Sequence, residues 1–89
     1  MKEAIKKKTL RRLKILEGQL RGLQKMVEKE EYCINILQQS SAVKQALSSI
    51  ENLILENHLS THVIEQFKAG KESESTKEIL AIYKLSKKK

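Results

Sequence analysis

Three side chains that can ligate a metal ion stand in two short stretches of the 89-residue chain. Cys33 is the sole cysteine, and His58 and His62 are the two histidines. The histidines are four positions apart, so on a helix both imidazoles project from one face and can reach one ion. Each feature taken alone is more often structural, since single cysteines are commonly inert buried thiols. A metal site therefore requires all three side chains to meet.

The distance along a helix decides how they can meet. If residues 34–69 form one helix, the 25 positions between Cys33 and His58 correspond to about 37 Å at the usual helical rise. One chain then cannot bind one ion with both residues. If the helices of two chains pack antiparallel, Cys33 of one subunit faces His58 and His62 of its partner. A twofold dimer would contain two such sites.

One thiolate and two imidazoles form a soft set of three ligands. Such a set suits Cu(I), which accepts low coordination numbers. Zn(II) would need a fourth ligand from protein or water, and Ni(II) or Co(II) would need more nitrogen or oxygen donors. The ligand types therefore favour Cu(I) and leave Zn(II), Ni(II) and Co(II) as alternatives.

The sequence predicts that the elements which position these ligands are helices. The chain has no proline, and residues 23–69 contain no glycine. Apolar residues recur every three or four positions in a first stripe, formed by Leu13, Leu16, Leu20, Leu23 and Val27. A second stripe has heptad spacing and consists of Ile36, Ser40, Val43, Leu47, Ile50 and Ile54. The change of phase between the stripes predicts a break between the first two helices near residues 30–33.

The end of the chain predicts a short third helix. Gly70, just after Lys68, is typical of a helix terminus with a left-handed cap. Residues 70–75 read as a polar connector, and Ser75 with Glu78 resembles a capping box that opens the third helix. We therefore expect an all-α fold with three helices in a single domain, residues 1–89. A chain this short has a marginal core, so we also expect it to form oligomers.

Positive charge is concentrated near the start of the chain. The sequence has 18 Lys and Arg against 11 Asp and Glu, a net charge of +7. Residues 2–14 hold seven of these basic side chains and the single acid Glu3, which indicates a polyanionic partner. No aromatic residue lies among them to stack unpaired bases, so duplex DNA is favoured. A lysine-rich solvated surface is the alternative.

The cellular compartment follows from the cysteine count and hydropathy. A lone cysteine, without an apolar run long enough for a signal peptide or membrane span, predicts a reducing cytoplasm and no membrane partner.

Basic residues of the first helix fall mostly outside its apolar stripe and form a candidate DNA-binding face of Arg11, Arg12, Lys14 and Arg21.

Four ordered motifs resemble the CsoR/RcnR family of bacterial metal-sensing repressors over nearly the whole chain. They are LRRLKILEGQLRG at residues 10–22, EYCI at 31–34, SAVKQAL at 41–47 and ENHL at 56–59. The resemblance implies three-helix subunits, an antiparallel dimer, and dimers paired into a flat tetramer without a helix-turn-helix. It also implies a repressor that binds operator DNA when metal-free and leaves it when the inducer binds.

The resemblance assigns roles to individual residues. Cys33, His58 and His62 match the family's three ligand positions, the last of which is usually cysteine in copper sensors. Tyr32 and Glu78 match positions that bind the free nitrogen of the first histidine, which would fix its tautomer and orientation. Basic positions that the family uses against DNA phosphates correspond to Arg11, Arg12, Arg21 and Lys44.

Other functions remain open at this stage. A nickel, cobalt or broad-range sensor of the same family could use these ligands, although nickel and cobalt sensors carry an N-terminal histidine that this chain lacks. A structural helical oligomer without any ligand is the alternative from another class. An enzyme with Cys33 as nucleophile is not expected, because no third group at a recognisable spacing would orient a histidine base.

Overall fold

The computed structural model describes residues 1–87, which are mostly helical and contain no strand. The helices are α1 (Glu3–Glu28), α2 (Cys33–Ser60), α3 (His62–Lys68) and α4 (Glu72–Lys87). The all-α prediction is confirmed. Lys88 and Lys89, which the predicted domain includes, lie outside the described residues. Within residues 1–87, no helix combines the length and the apolar character needed to cross a membrane.

Contacts between residues group the chain into two compact units, Met1–Glu56 and a second that starts at Asn57. In the first unit, a four-residue link joins α1 to α2, and so short a connection makes the two helices antiparallel neighbours. Their facing sides bury Leu16 of α1 and Ile50 of α2. The Arg12 guanidinium donates a 3.1 Å hydrogen bond to the Ser49 hydroxyl, and both residues line a half-open cavity of about 130 Å³ between the helices.

Much of the predicted apolar stripes stays exposed in the single chain. Leu16 and Leu23 turn inward, but Leu13, Leu20 and Val27 are exposed. These three lie seven residues apart, so they share one side of α1, next to the side that faces α2. On α2 the exposed positions of the heptad stripe are Leu47 and Ile54. Apolar rows of this kind on monomers mark surfaces that bind another protein surface.

The break between α1 and α2 falls where the change of phase predicted it. After α1 ends, the backbone N–H of Glu30 bonds to the carbonyl of Val27 and that of Glu31 to the carbonyl of Met26, each at 3.0 Å. This pair of bonds is a Schellman motif, in which the fifth of the six residues, just past the helix end, is left-handed. Here Glu30 occupies that position with φ +52°, a conformation that glycine adopts more readily.

The second unit contains the end of α2, then α3 and α4, with α3 packed against α4. The single helix supposed over residues 34–69 is interrupted at Thr61, where φ is −126° and ψ is −75°. The carbonyl of Asn57 accepts the hydroxyls of Thr61 at 2.7 Å and Ser60 at 3.1 Å. The Thr61 N–H instead bonds to the His58 carbonyl at 3.4 Å. Hydroxyl groups that compete for a helical carbonyl in this way bend or break a helix.

The terminus of α3 is confirmed, and the predicted start of the third helix is wrong. Gly70 has φ +75°, and its N–H and that of Lys71 bond to the carbonyls of Phe67 and Gln66, a second Schellman motif. The last helix begins at Glu72, however, and Ser75 lies inside it, fully buried. The Ser75 N–H already bonds to the Lys71 carbonyl at 3.1 Å, as in a running helix. Ser75 is therefore not an N-cap, and no capping box with Glu78 forms.

Candidate metal site and basic helix surface

The candidate thiol ligand stands at the start of α2. Cys33 is the first residue of that helix, is exposed and forms no disulfide. Tyr32 immediately precedes the helix with 71% of its surface exposed, and its carbonyl accepts the N–H groups of Asn35 and Ile36. An exposed cysteine at the start of a helix is accessible to a soft metal ion.

The two candidate imidazole ligands stand at the opposite end of α2. His58 lies in the last turn of that helix, and His62 is the first residue of α3. The two rings lie side by side across the break at Thr61, stacked with centroids 5.3 Å apart and planes inclined by 22°. The expectation that i, i+4 spacing places both imidazoles on one side therefore agrees with this arrangement.

A glutamate lies beside each imidazole. The Nε2 atom of His58 is 3.5 Å from Oε2 of Glu78 in α4, the residue that the family resemblance placed behind the first histidine. The Nδ1 atom of His62 is 4.0 Å from Oε2 of Glu65, three residues further along α3. Sequence reasoning missed Glu65, although an acid one helical turn after a candidate histidine ligand was a signal that could have found it.

The described residues of one chain do not assemble a complete metal site. Among residues 1–87, no group of three or more histidine, cysteine, aspartate or glutamate side chains could hold an ion. What the second unit does contain is an adjacent pair of imidazoles, and each ring has one nitrogen beside a carboxylate and the other away from it. This donor pair fits a metal such as Cu(I), to which imidazoles bind through one nitrogen while the other bonds to an outer group.

The candidate DNA-binding residues lie mostly on exposed helix surface. Arg11, Lys14 and Arg21 are exposed, and their spacing places them on one side of α1. Lys44 is exposed on α2. Arg12 differs from them, because it is half-buried on the side of α1 that faces α2 and bonds to Ser49.

A model of the family described as metal-sensitive transcriptional repressors matches residues 5–84. The chain belongs to this family. Its similar relatives include the copper-sensing transcriptional repressor CsoR of Bacillus subtilis, 41% identical over 73 residues that cover 82% of this chain and 72% of the relative. The copper-sensing repressor RicR of Mycobacterium tuberculosis is 48% identical over 50 residues, which cover 56% of this chain and 52% of RicR. Both relatives are described as transcriptional repressors.

A solved structure extends the likeness to the fold. The crystal structure of the copper-sensing repressor CsoR with Cu(I) from Geobacillus thermodenitrificans matches 99% of this chain and 92% of that chain, with a TM-score of 0.91. The two sequences are 36% identical. The chain therefore shares both its family and its fold with this solved repressor.

Proposed function

We propose that this repressor senses Cu(I): it binds operator DNA when metal-free and leaves the DNA when Cu(I) binds to Cys33, His58 and His62. The observation that carries the proposal is the pair of adjacent imidazoles, His58 and His62, with the Glu78 carboxylate beside the first ring. Copper-sensing relatives and the likeness to a Cu(I)-bound repressor support the choice of metal.

The proposed site lies between two subunits. Cys33 and His58 are at opposite ends of α2, so an antiparallel pairing of two α2 helices would bring Cys33 of one subunit to the two histidines of the other. A thiolate and two imidazoles supply three donors, which suits the low coordination numbers of Cu(I). A twofold dimer would hold two equivalent sites.

Exposed apolar surface supports the dimer. Leu13, Leu20 and Val27 form one row on α1, and Leu47 and Ile54 lie on the neighbouring helix of the same unit. A second copy of the chain would cover these rows, because burial of apolar surface contributes roughly 25 cal/mol per Å². The two buried apolar side chains of the described residues, Leu16 and Ile50, give a single subunit little core of its own.

Apolar side chains of the second unit support further assembly into a tetramer. Phe67 of α3 and Leu80, Tyr83 and Leu85 of α4 are each about half exposed or more. We propose that dimers pair through surfaces of this kind into the flat tetramer that the family resemblance implies. In that assembly the subunit, residues 1–89, acts as a single domain and uses no helix-turn-helix.

Basic side chains of α1 and α2 form the proposed DNA-binding surface. Arg11, Lys14 and Arg21 project from one side of α1, while Lys44 adds a charge on α2. Arg12 would contribute from its half-buried position beside Ser49. Contacts of this type bind phosphate and make affinity fall steeply with salt, so the partner we propose is double-stranded operator DNA.

A contact within the second unit links the proposed metal site to α4. His58 belongs to α2 and Glu78 to α4, so a change in the orientation of the His58 ring acts on α4 through the Glu78 carboxylate. If the ligand-bound arrangement misaligns the basic surface, DNA affinity falls. Couplings between two sites typically amount to about 1–3 kcal/mol, and DNA must weaken metal binding by the same factor.

The compartment follows from the chemistry of the ligand. A site that depends on the thiolate of Cys33 needs that thiol kept reduced, and a repressor needs access to DNA. We therefore propose that the protein acts in the cytoplasm and has no membrane partner or catalytic role of its own.

The test begins by selecting duplexes from a random DNA library with the metal-free protein. The fluorescence anisotropy of a selected duplex is then followed while Cu(I), held by a chelator of known affinity, is added anaerobically. We expect high affinity without metal and release near two Cu(I) per dimer. Zn(II), Ni(II) and Co(II) serve as matched additions, because the two imidazoles also suit these ions.

Each outcome decides between the candidate functions. Release by Ni(II) or Co(II) but not by Cu(I) would replace copper with the alternative sensor. Failure of the metal-free protein to select any duplex would favour the structural oligomer. Cys33→Ala, which removes the only thiolate, should still bind the selected duplex but should no longer respond to Cu(I).

A further inference from the structure

The two imidazoles present opposite nitrogens to their glutamates. His58 has Nε2 beside Glu78, at 3.5 Å, whereas His62 has Nδ1 beside Glu65, at 4.0 Å. All four residues belong to the unit that starts at Asn57. A neutral imidazole carries its proton on one nitrogen and a lone pair on the other. A carboxylate that accepts a hydrogen bond from one nitrogen keeps the proton there and leaves the lone pair on the opposite atom.

The geometry points to Glu65 as a positioning residue for His62: its carboxylate accepts the Nδ1–H and leaves Nε2 as the atom that binds metal. By the same reasoning, Glu78 accepts the Nε2–H of His58 and leaves Nδ1 for the metal. The assignment rests on the proposed metal-sensing function. The role of Glu78 is the one that the family resemblance already implies; what is new is Glu65 and the ligating atom of His62.

The need for Glu65 follows from the identity of residue 62. Copper sensors of the family usually have cysteine there, and a thiolate sulfur has no tautomer for a neighbour to select. His62 has two ring nitrogens, so the ring must be fixed in one tautomer and one orientation before it can bind well. Outer-shell carboxylates perform this function for many histidine ligands and raise the basicity of the metal-bound nitrogen.

The contact is within reach of a hydrogen bond. A separation of 4.0 Å exceeds the usual 2.7–3.2 Å, but the side chains of His62 and Glu65 are 51% and 76% exposed. Both can therefore change rotamer to shorten the contact. Glu65 and His62 are three residues apart on α3 and thus lie on the same side of the helix.

Glu65 also has a structural role that the test must separate. It lies in the first turn of α3, where a negative charge stabilises the helix. Glu65→Gln removes that charge but keeps a carbonyl oxygen that can accept the Nδ1–H. Glu65→Ala removes both. Glu74→Ala is the matched control, because it deletes an exposed acid from the first turn of α4 instead.

The first measurement needs no metal. Long-range ¹H–¹⁵N NMR spectra of ¹⁵N-histidine-labelled, metal-free protein distinguish the two neutral tautomers, at a pH where imidazole is neutral. We expect mainly Nδ1–H for His62 in the wild type and in Glu65→Gln. Glu65→Ala should shift the ring to the Nε2–H form, and Glu74→Ala should leave it unchanged. An Nε2–H tautomer in the wild type would overturn the assignment, whether or not any variant folds.

The second measurement is Cu(I) affinity by competition with a chelator. We expect Glu65→Ala to bind Cu(I) about tenfold more weakly, since loss of an outer-shell partner typically costs ~10–100-fold. Glu65→Gln should recover most of that loss, which a purely charge-based helix effect would not allow. Equal losses in Glu65→Gln and Glu65→Ala would overturn the positioning role. If the wild type shows the Nδ1–H tautomer but Cu(I) does not release DNA, the proposed sensing function fails while the pairing of Glu65 with His62 stands.

Discussion

The guanidinium of Arg12 donates a 3.1 Å hydrogen bond to the hydroxyl of Ser49 and so joins α1 to α2. A residue proposed to bind DNA is thereby fixed to the helix that starts at the candidate ligand Cys33. The other basic residues of the proposed surface are exposed, which leaves them free to follow the DNA. Arg12 is therefore the residue whose position is most directly tied to the packing of the two helices.

Arg12→Ala should weaken operator binding and leave Cu(I) affinity unchanged. Loss of one phosphate contact should reduce the slope of log affinity against log salt by about 1. Anisotropy titrations at several salt concentrations measure both quantities. Ser49→Ala is the control, because it releases the guanidinium but keeps its charge, so its salt slope should match the wild type. A wild-type slope for Arg12→Ala would contradict the proposed contact.

Mixed dimers should reveal whether the metal site lies between subunits. Cys33→Ala and His62→Ala should each fail to form the proposed site as homodimers. In a mixed dimer, one site lacks both groups, but the other combines the intact Cys33 of one subunit with the intact His62 of its partner. Co-expression with two affinity tags isolates this species, and Cu(I) competition should find one tight site per dimer. No recovery would show that both ligands must come from one chain.

Two substitutions at the helix C-termini that contain a residue with positive φ should change the free energy of unfolding in opposite directions. Glu30 has φ +52° and Gly70 has φ +75°. Glu30→Gly should raise the free energy of unfolding, and Gly70→Ala should lower it, each by about 1 kcal/mol. Urea unfolding at a fixed subunit concentration gives both values. Glu31→Gly is the control, because Glu31 has no positive φ, and stabilisation there would refute the conformational explanation.

Leu20→Glu should disrupt assembly. Leu20 is 45% exposed in the single chain, between Leu13 and Val27 on the exposed row of α1. A charge in the middle of a surface that another subunit covers is costly to bury. Sedimentation velocity should show a smaller species than the wild type. Lys25→Glu, which also introduces an acid on α1, should sediment as the wild type, and a wild-type profile for Leu20→Glu would argue against this interface.

Ser75→Ala should leave the stability of the protein unchanged or increase it. The Ser75 side chain is fully buried, and its hydroxyl has no hydrogen-bond partner among the described residues. A buried polar group without a partner costs about 1–3 kcal/mol. If Ser75 were the cap of a capping box, its loss would instead destabilise the protein by about 1 kcal/mol. Thermal unfolding at constant concentration therefore distinguishes the two by sign, with Ser73→Ala as an exposed control.

Apolar spacing predicted the helices well because helical periodicity is a property of the chain itself. The heptad stripe predicted α2, and the change of phase predicted the break before Cys33. Spacing could not tell which side of α1 faces α2: Leu16 is buried, but Leu13 and Leu20, from the same stripe, are exposed. Such choices depend on tertiary packing and, as proposed, on a second chain.

Local hydrogen bonds account for the two places where the helices differ from what the sequence indicated. The continuous helix over residues 34–69 is interrupted because the hydroxyls of Ser60 and Thr61 compete for the Asn57 carbonyl. Ser75 is not a cap because its N–H already bonds to Lys71 within the helix. Serine and threonine serve equally as caps, turn formers and interior residues, so their position in the sequence alone did not decide among these roles.

The family pattern is the source of the residues proposed for the metal site. Cys33, His58, His62 and Glu78 were identified from the sequence, and the structure brings three of these together in the second unit. Glu65 was missed because the pattern has cysteine at the position of His62, so the pattern includes no partner for a second imidazole. The contact between the two side chains identifies Glu65, and its position three residues after His62 was the sequence signal that could have done so.

Leu16 and Ile50 are the apolar side chains that the described part of one chain shields from water. An unassembled subunit is thus poorly protected against proteolysis. Its lifetime in the cell should therefore increase with the concentration of subunits. Folding of the subunit is then coupled to its assembly with a second subunit. Overproduced, assembly-defective variants should be degraded rather than accumulate, and such variants would reduce repression by lowering protein abundance even where every DNA-binding side chain is intact.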